Sequence, residues 1–355
     1  MNTSNFTFID LFAGIGGMRI AFERIGGKCV FSSEWEANAQ KTYEANFGEI
    51  PAGDITKIKS ESIPEHDILL AGFPCQPFSI IGNKKGFADT RGTLFFEIER
   101  ILSHHKPHCF LLENVKQLVS HDKGRTLRVI LDHLYNLGYF VHWKVLNSLD
   151  FGIPQKRERI LIVGFLNDYE FKFPLKRRSS LSLKDILEND ENIEQKHFAS
   201  KKILEQRIEK VQGKKIFYPS IWHENKGGNI GIHPFSCALR AGASYNYLLV
   251  NGVRRLTPRE NLRLQGFPDS FKIVVPDGEV RKQAGNSVTV PVIEAVARQM
   301  MNTIKESRLS TKQSDLFLSL TNGQYKQSEA IKFNAKDKIA RYTARKRNST
   351  VAKES

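Results

Sequence analysis

The sequence predicts an α/β protein: a mainly parallel sheet with helices on both faces, joined to a smaller, irregular, β-containing domain. Three observations carry that prediction. Apolar runs of strand length alternate with stretches of helical spacing from residue 6 to residue 165. The first run leads straight into a glycine-rich turn and a helix, the opening of a nucleotide-binding βαβ unit. After residue 165 the alternation gives way to a lysine-rich region, and order resumes only at Thr257.

Residues 6–12 form the first strand, and Ala13-Gly14-Ile15-Gly16-Gly17 the turn after it; Ile20, Ala21 and Ile25 keep core spacing on the helix that follows. Residues 28–33 are a second strand with Glu34 at its end, where a carboxylate commonly binds ribose hydroxyls, and Trp35 beside it could stack on a purine. The run is G-x-G-G rather than G-x-G-x-x-G and no Walker lysine occurs, which favours a nucleoside without a diphosphate, such as S-adenosylmethionine. Residues 37–47 read as a helix, and Gly53-Asp54-Ile55 closes a third short strand. Asp54 suits either an adenine amine or a simple turn.

A fourth strand, residues 68–71, runs into Gly72-Phe73-Pro74-Cys75-Gln76-Pro77-Phe78-Ser79. A lone cysteine is most often a buried structural residue. Here the thiol stands between two prolines at a strand end, the rim where ligands bind in open α/β sheets. Residues 80–93, with Gly82, Gly86, Gly92, Lys84, Lys85 and Arg91, read as a mobile basic loop. Helical spacing resumes at residues 94–104, and a fifth strand, 109–112, ends in Glu113-Asn114-Val115, a second candidate catalytic position. A helix over 124–137 and a sixth strand over 140–146 follow. Gln155-Lys156-Arg157-Glu158-Arg159 precedes a seventh strand, 160–165; the two arginines face one side, either a cleft or a solvated edge. Short apolar runs at 236–250 suit a small sheet. Thr257-Pro258-Arg259-Glu260 is a capping box with Pro at the first helical position, and Gly285-Asn286-Ser287 starts the last core helix, 288–301.

At 355 residues the chain can bury a substantial core in more than one domain, and 40% apolar with 26% charged residues describes a globular protein. No apolar run approaches the ~20 residues of a membrane helix, and the N-terminus has no leader pattern, so a cytoplasmic protein is expected. Cys29, Cys75, Cys109 and Cys237 are too scattered for a disulfide framework or a zinc pattern. The net charge of +15 is concentrated: +6 over residues 166–255 and +7 over 303–355, leaving +2 elsewhere. Basic appendages on a near-neutral body suit a polyanion partner, or a surface kept charged for solubility.

Taken in order, Phe12-Ala13-Gly14-Ile15-Gly16-Gly17, Gly72-Phe73-Pro74-Cys75-Gln76, Glu113-Asn114-Val115, Gln155-Lys156-Arg157-Glu158-Arg159, Leu264-Gln265-Gly266-Phe267-Pro268 and Gly285-Asn286-Ser287 resemble the motifs of the cytosine-5 DNA methyltransferases. The similarity covers roughly residues 6–165 and 253–302 and lies toward the bacterial restriction-modification enzymes of the GCGC-modifying type. It implies a Rossmann-like S-adenosylmethionine-dependent methyltransferase sheet over residues 1–166 and 253–302, a target-recognition domain over 167–252, and a basic extension, partly disordered by composition, over 303–355.

The resemblance also implies roles. Cys75 is the nucleophile that adds to cytosine C6, Glu113 the donor to N3 and Arg159 the contact to O2, with Arg157 orienting the thiolate side. Phe12, Ala13, Gly14, Gly16, Gly17, Glu34 and Trp35 would bind S-adenosylmethionine together with Asp54, Ile55, Gly72, Pro74, Leu94, Asn286 and Ser287, and no metal is expected. Duplex DNA would be met by Gln76, Ser79, Lys84, Lys85, Arg91 and Arg240, with the target base flipped out. Cys237-Ala238-Leu239 replaces a frequent Thr-Leu pair, removing a hydroxyl near the target if Ala238 takes the threonine's place. The further expectations are a monomeric bacterial cytoplasmic enzyme paired with a restriction endonuclease, and no membrane association.

Overall fold

The computed structural model describes residues 5–73, 94–176 and 181–321. Contacts divide the chain into a compact unit up to Glu306 and a second unit from Ser307. The central sheet is built from β1 (Phe6–Leu11), β2 (Gly27–Ser33), β3 (Ile68–Gly72), β4 (Cys109–Val115), β5 (Phe140–Asn147) and, after a two-residue strand β6 (Gln155–Lys156), β7 (Glu158–Phe165). Its order is β2-β1-β3-β4-β7-β5. The first four are parallel, and β7 runs antiparallel to both of its neighbours.

Alternate residues of each strand feed two cores, as the two-residue repeat of a sheet covered on both faces requires. Phe8, Leu70, Leu111 and Val163 pack with Met18 and Phe22 of α1 (Gly17–Glu23) and with Ile293, Val296 and Met300 of the last helix. Leu11, Leu69, Phe110 and Ile162 point the other way, against Phe95, Ile98 and Leu102 of α3 (Leu94–His105) and Ile130 and Leu134 of α4 (Arg125–Asn136). Between α1 and α3, the helix α2 (Ala37–Phe47) is capped by the Glu36 side chain, which accepts from Ala39 N.

Three expectations about elements change. The strand expected to end at Asp54 is only an isolated bridge, Ser33 to Ala52, so the sheet has six strands. Pro51 has no N–H to give, and Asp54 turns the chain by accepting from Thr56 N and Oγ1. Asn286 ends a helix rather than starting one. That helix, α8 (Asp277–Asn286), opens after Pro276 with Asp277 and Glu279 in its first turn, where carboxylates favour the N-terminal dipole end. The last helix, α9 (Val290–Thr321), starts later than expected and runs well past residue 301.

The region read as irregular contains α5 (Leu183–Ile186), α6 (Lys201–Lys210) and a three-stranded sheet, β11-β8-β9, made of β8 (Ile221–Glu224), β9 (Ile230–His233) and β11 (Leu248–Val250). The sheet therefore starts before the 236–250 window. Within that window β10 (Ser236–Cys237) pairs instead with β6, tying this region to the approach to β7. The capping box is present at α7 (Pro258–Arg263), with Thr257 and Glu260 each satisfying the other's backbone N–H. No described helix is long and apolar enough to cross a membrane.

Candidate active site

The glycine turn resolves into three different demands. Gly14 has φ +56°, and a Cβ there would meet nothing within 4 Å, so this side of the turn is open to a ligand. Gly16, at φ +80°, instead gives way to the ring of Phe47, whose carbon would lie 2.3 Å from an added Cβ. Gly17 admits the C-terminal segment: its Cβ would fall 2.9 Å from Ser287 Oγ and from Val288 Cγ2. Ser287 is thus held against the turn although 270 residues separate them. Phe12, half-buried at φ +56°, and Ala13, whose N–H donates to Ser33 O at 2.9 Å, complete the bend.

Glu34 is buried and accepts from Gly14 N and Glu36 N, both at 2.8 Å; burial pushes its carboxyl above the usual range. Its first work is thus to hold the turn, and each oxygen keeps a lone pair for a hydroxyl donor. Trp35 beside it is 79% exposed, an indole face with room for a stacked ring. Ile55 is buried in the core, so only its backbone can meet a ligand, while Asp54 is committed on one oxygen to Thr56. Leu94 opens α3 half-buried, and Asn286 is exposed at the end of α8.

On the same edge of the sheet, at the C-terminal end of β3, Gly72 pairs with Glu113 of β4, and the Glu113 Oε2 atom lies 3.7 Å from where a Gly72 Cβ would stand. Glu113 is buried within the strand, and Arg159 Nε pairs with its Oε1 at 3.0 Å. Burial raises the Glu113 carboxyl above its usual range, against the opposing pull of Arg159 and then Arg157. Asn114 donates to Phe73 O at 2.9 Å, fixing the backbone directly before Pro74 and Cys75 in the sequence. Pro74, Cys75, Gln76, Ser79, Lys84, Lys85 and Arg91 lie outside the described residues.

The two arginines do not share a partner. Arg157 is 2% exposed and donates to three main-chain carbonyls: Leu239 at 2.8 Å, Gly285 at 3.0 Å and Ser287 at 2.6 Å. Burial, then the Arg159 charge, push its guanidinium down to about 9. Arg157 therefore clamps the 239 segment to the end of α8, while Arg159 faces Glu113. Arg240 is exposed, its guanidinium 4.8 Å from the Tyr247 ring centre.

A family model for C-5 cytosine-specific DNA methylases matches residues 6–302. The chain belongs to that family. It is 60% identical over 296 residues to the Type II methyltransferase M.HaeII of Haemophilus aegyptius, covering 83% of this chain and 93% of that protein. To M.NgoBI of Neisseria gonorrhoeae it is 60% identical over 290 residues, covering 82% and 91%. Among solved structures, the fold is similar to a Spodoptera frugiperda DNMT2 mutant, with TM-score 0.67, 21% identity and coverage of 83% of this chain and 99% of that one. The protein is thus a DNA cytosine-5 methyltransferase of the Type II restriction-modification family, built on the S-adenosylmethionine-dependent methyltransferase fold, with that compound as methyl donor.

For this methylase the residues that sequence reasoning left without a role are mostly amides. Gln155 donates to Leu264 O at 2.7 Å and accepts from Leu239 N at 3.0 Å. Gln265 donates to Ala284 O and accepts from Thr289 Oγ1, which also meets Ser148. Both glutamines are fully buried, a placement that only hydrogen bonding makes tolerable. Gly285 permits the same approach: a Cβ there would sit 2.4 Å from Ala241 N. A polar amide inside an otherwise apolar motif was the available signal. Its partners, 19 to 109 residues away, were not.

Proposed function

We propose that this methylase transfers the methyl group to C5 of a cytosine flipped out of duplex DNA, through a covalent bond between Cys75 Sγ and C6, and protects host DNA beside a paired endonuclease. Cytosine C5 is a weak nucleophile. Addition of a thiolate at C6 makes it enamine-like, and the negative charge that develops at N3 and O2 needs a proton donor and a cation close by. The observation that carries the reading is the buried Glu113–Arg159 pair against Gly72, three residues before Cys75. Glu113, its carboxyl raised by burial, donates to N3, and Arg159 meets O2. Arg157 positions both neighbours of the site through its three carbonyls.

S-adenosylmethionine supplies the electrophilic sulfonium methyl. The residues present fit it: Gly14 leaves open space, Glu34 is an acceptor, Trp35 is an uncovered ring, and Ser287 closes on the turn. Phe12, Ala13, Asp54, Ile55, Gly72, Pro74, Leu94 and Asn286 complete the proposed cofactor set, with Gly16 and Gly17 serving the turn's packing. Gln76, Ser79, Lys84, Lys85, Arg91 and Arg240 are the proposed DNA contacts, and residues 167–252 the target-recognition domain between catalytic segments 1–166 and 253–302. A monomer in the bacterial cytoplasm suits this work.

The test is tritiated methyl transfer to duplex DNA by the full chain, with the site located by bisulfite sequencing. Cys75→Ser is expected to abolish turnover while cofactor and DNA binding persist; normal turnover in that variant would overturn the covalent mechanism.

A further inference from the structure

Away from the Glu113 pair, His223, His233 and Cys237 converge so that one ligand atom from each lies within 4.8 Å of the other two. Three separate strands bring them there. His223 is on β8 and His233 on β9, which pair antiparallel, and Cys237 is on β10, which lies against β8. The cross-strand partner of His223 is Gly231. A Cβ at Gly231 would fall 2.5 Å from His233 Nε2, so the missing side chain is what allows the His233 ring to lie back over its own strand, toward His223. The ring is held on its other side by Phe235, stacked at 5.3 Å and 19°. His223 meets Tyr247 edge-on at 6.2 Å. All three candidate ligands are half-buried, which leaves a route for an ion and for one further ligand.

We propose that His223, His233 and Cys237 bind a single Zn²⁺ or a similar borderline-soft divalent ion, which pins the β8-β9 sheet to the β6-β10 pair. Two imidazoles and a thiolate are nitrogen and sulfur donors, which select zinc-like ions over calcium or magnesium. Tetrahedral zinc places its ligand atoms about 3.3–3.8 Å apart, so the cluster contracts by roughly an ångström on loading. The thiol loses its proton to solvent as the metal–sulfur bond forms, both imidazoles bind neutral, and water takes the fourth position. Burial pushes the Cys237 thiol up, against the opposing pull of Lys156 and then Arg240, and the same two cations oppose a loosely held ion. The site therefore suits an ion held by short bonds to nitrogen and sulfur.

The location gives the ion a consequence. Cys237 pairs with Lys156 and Ser236 with Gln155, in the segment directly before Arg157. Two residues beyond Cys237, Leu239 gives its carbonyl to Arg157 and its N–H to Gln155. A metal at Cys237 thus sets the sheet of residues 221–250 relative to the clamp beside the catalytic pair. It is a positioning site, outside the methyl-transfer chemistry and independent of how that chemistry proceeds.

The full-length chain, stripped with a chelator, is titrated with Co²⁺ and then with Zn²⁺. One equivalent of Co²⁺ is expected to give tetrahedral ligand-field absorption and a thiolate charge-transfer band, both erased by one equivalent of Zn²⁺. The band should survive in Cys75→Ser and vanish in Cys237→Ser. In His233→Ala, affinity should fall about tenfold or more. Each variant is checked by circular dichroism, and His223→Gln serves as a second ligand variant if one of them fails to fold. Zn²⁺ is expected to raise the thermal midpoint of the parent and to leave that of Cys237→Ser unmoved. No Co²⁺ binding by the parent at micromolar protein, a band retained in Cys237→Ser, or a band lost in Cys75→Ser would each overturn the assignment.

Discussion

Arg157→Met tests the claim that a buried arginine joins the two sides of the site. The side chain keeps an unbranched apolar stem but not the guanidinium, and loses all three bonds, to Leu239 O, Gly285 O and Ser287 O. A hydrogen bond from a charged donor is worth about 1.5–3 kcal/mol, so three amount to roughly 4–9 kcal/mol gross. Removing the guanidinium also returns its burial cost, which is several kcal/mol and is what pushes its pKa down. The orphaned Nε, buried without a partner, adds to that cost in the parent. The net expectation is a loss of about 2–4 kcal/mol in urea unfolding.

Function should suffer separately under the proposed cofactor set, because Ser287 rests against Gly17 of the glycine turn. If about 1.4 kcal/mol of the distortion reaches that contact, the KM for S-adenosylmethionine rises about tenfold. Arg157→Lys should restore little, since one ammonium cannot span three carbonyls. Unfolding midpoints and methyl-transfer kinetics decide the matter together. An unchanged midpoint with an unchanged cofactor KM in Arg157→Met would refute the clamp.

Asp10 is buried in β1 with Oδ2 unpartnered; burial raises its carboxyl well above the usual range, against the pull of the Arg19 charge and backbone. Above the ordinary carboxylate range the folded state therefore holds a proton that the unfolded chain has released, so the parent loses stability as pH rises through that window. Asp10→Asn cannot ionise and should gain on the parent at about pH 8 and show no such gain at about pH 4.5, read from urea midpoints. Gly285→Ala drives a methyl into the backbone of Arg240 and Ala241, and should cost about 1–3 kcal/mol in unfolding and weaken DNA methylation. Arg254 and Glu260 pair at 2.9 Å with both side chains wholly buried, so Arg254→Met should cost about 3–5 kcal/mol in the same assay.

Several features could be read before any coordinates. The short apolar runs of β1, β3 and β4 and the wide apolar faces of α3 and α4 are local properties, so the layered sheet followed from them. The Thr257 capping box is local as well. The bridge at Ala52 deceived because a short strand's existence depends on its neighbour rather than on its residues. Helix α8 was missed because Gly278 and Gly285 bracket it and its apolar face is short; packing against the 239–241 segment holds it in place.

By itself the sequence determined the fold class, the family motifs and the position of Glu34 just past a strand end, because backbone propensity and motif order are written along the chain. Only the tertiary structure decided that Arg157 serves three carbonyls while Arg159 serves Glu113, that Gly14 faces open space while Gly16 and Gly17 are packed, and that two histidines meet Cys237. Each of these depends on which distant segment arrives opposite a residue. Such contacts, spanning 4 to 270 residues, are set by how the sheet, α8 and the β8-β9 hairpin pack, and identical local patterns are compatible with quite different partners.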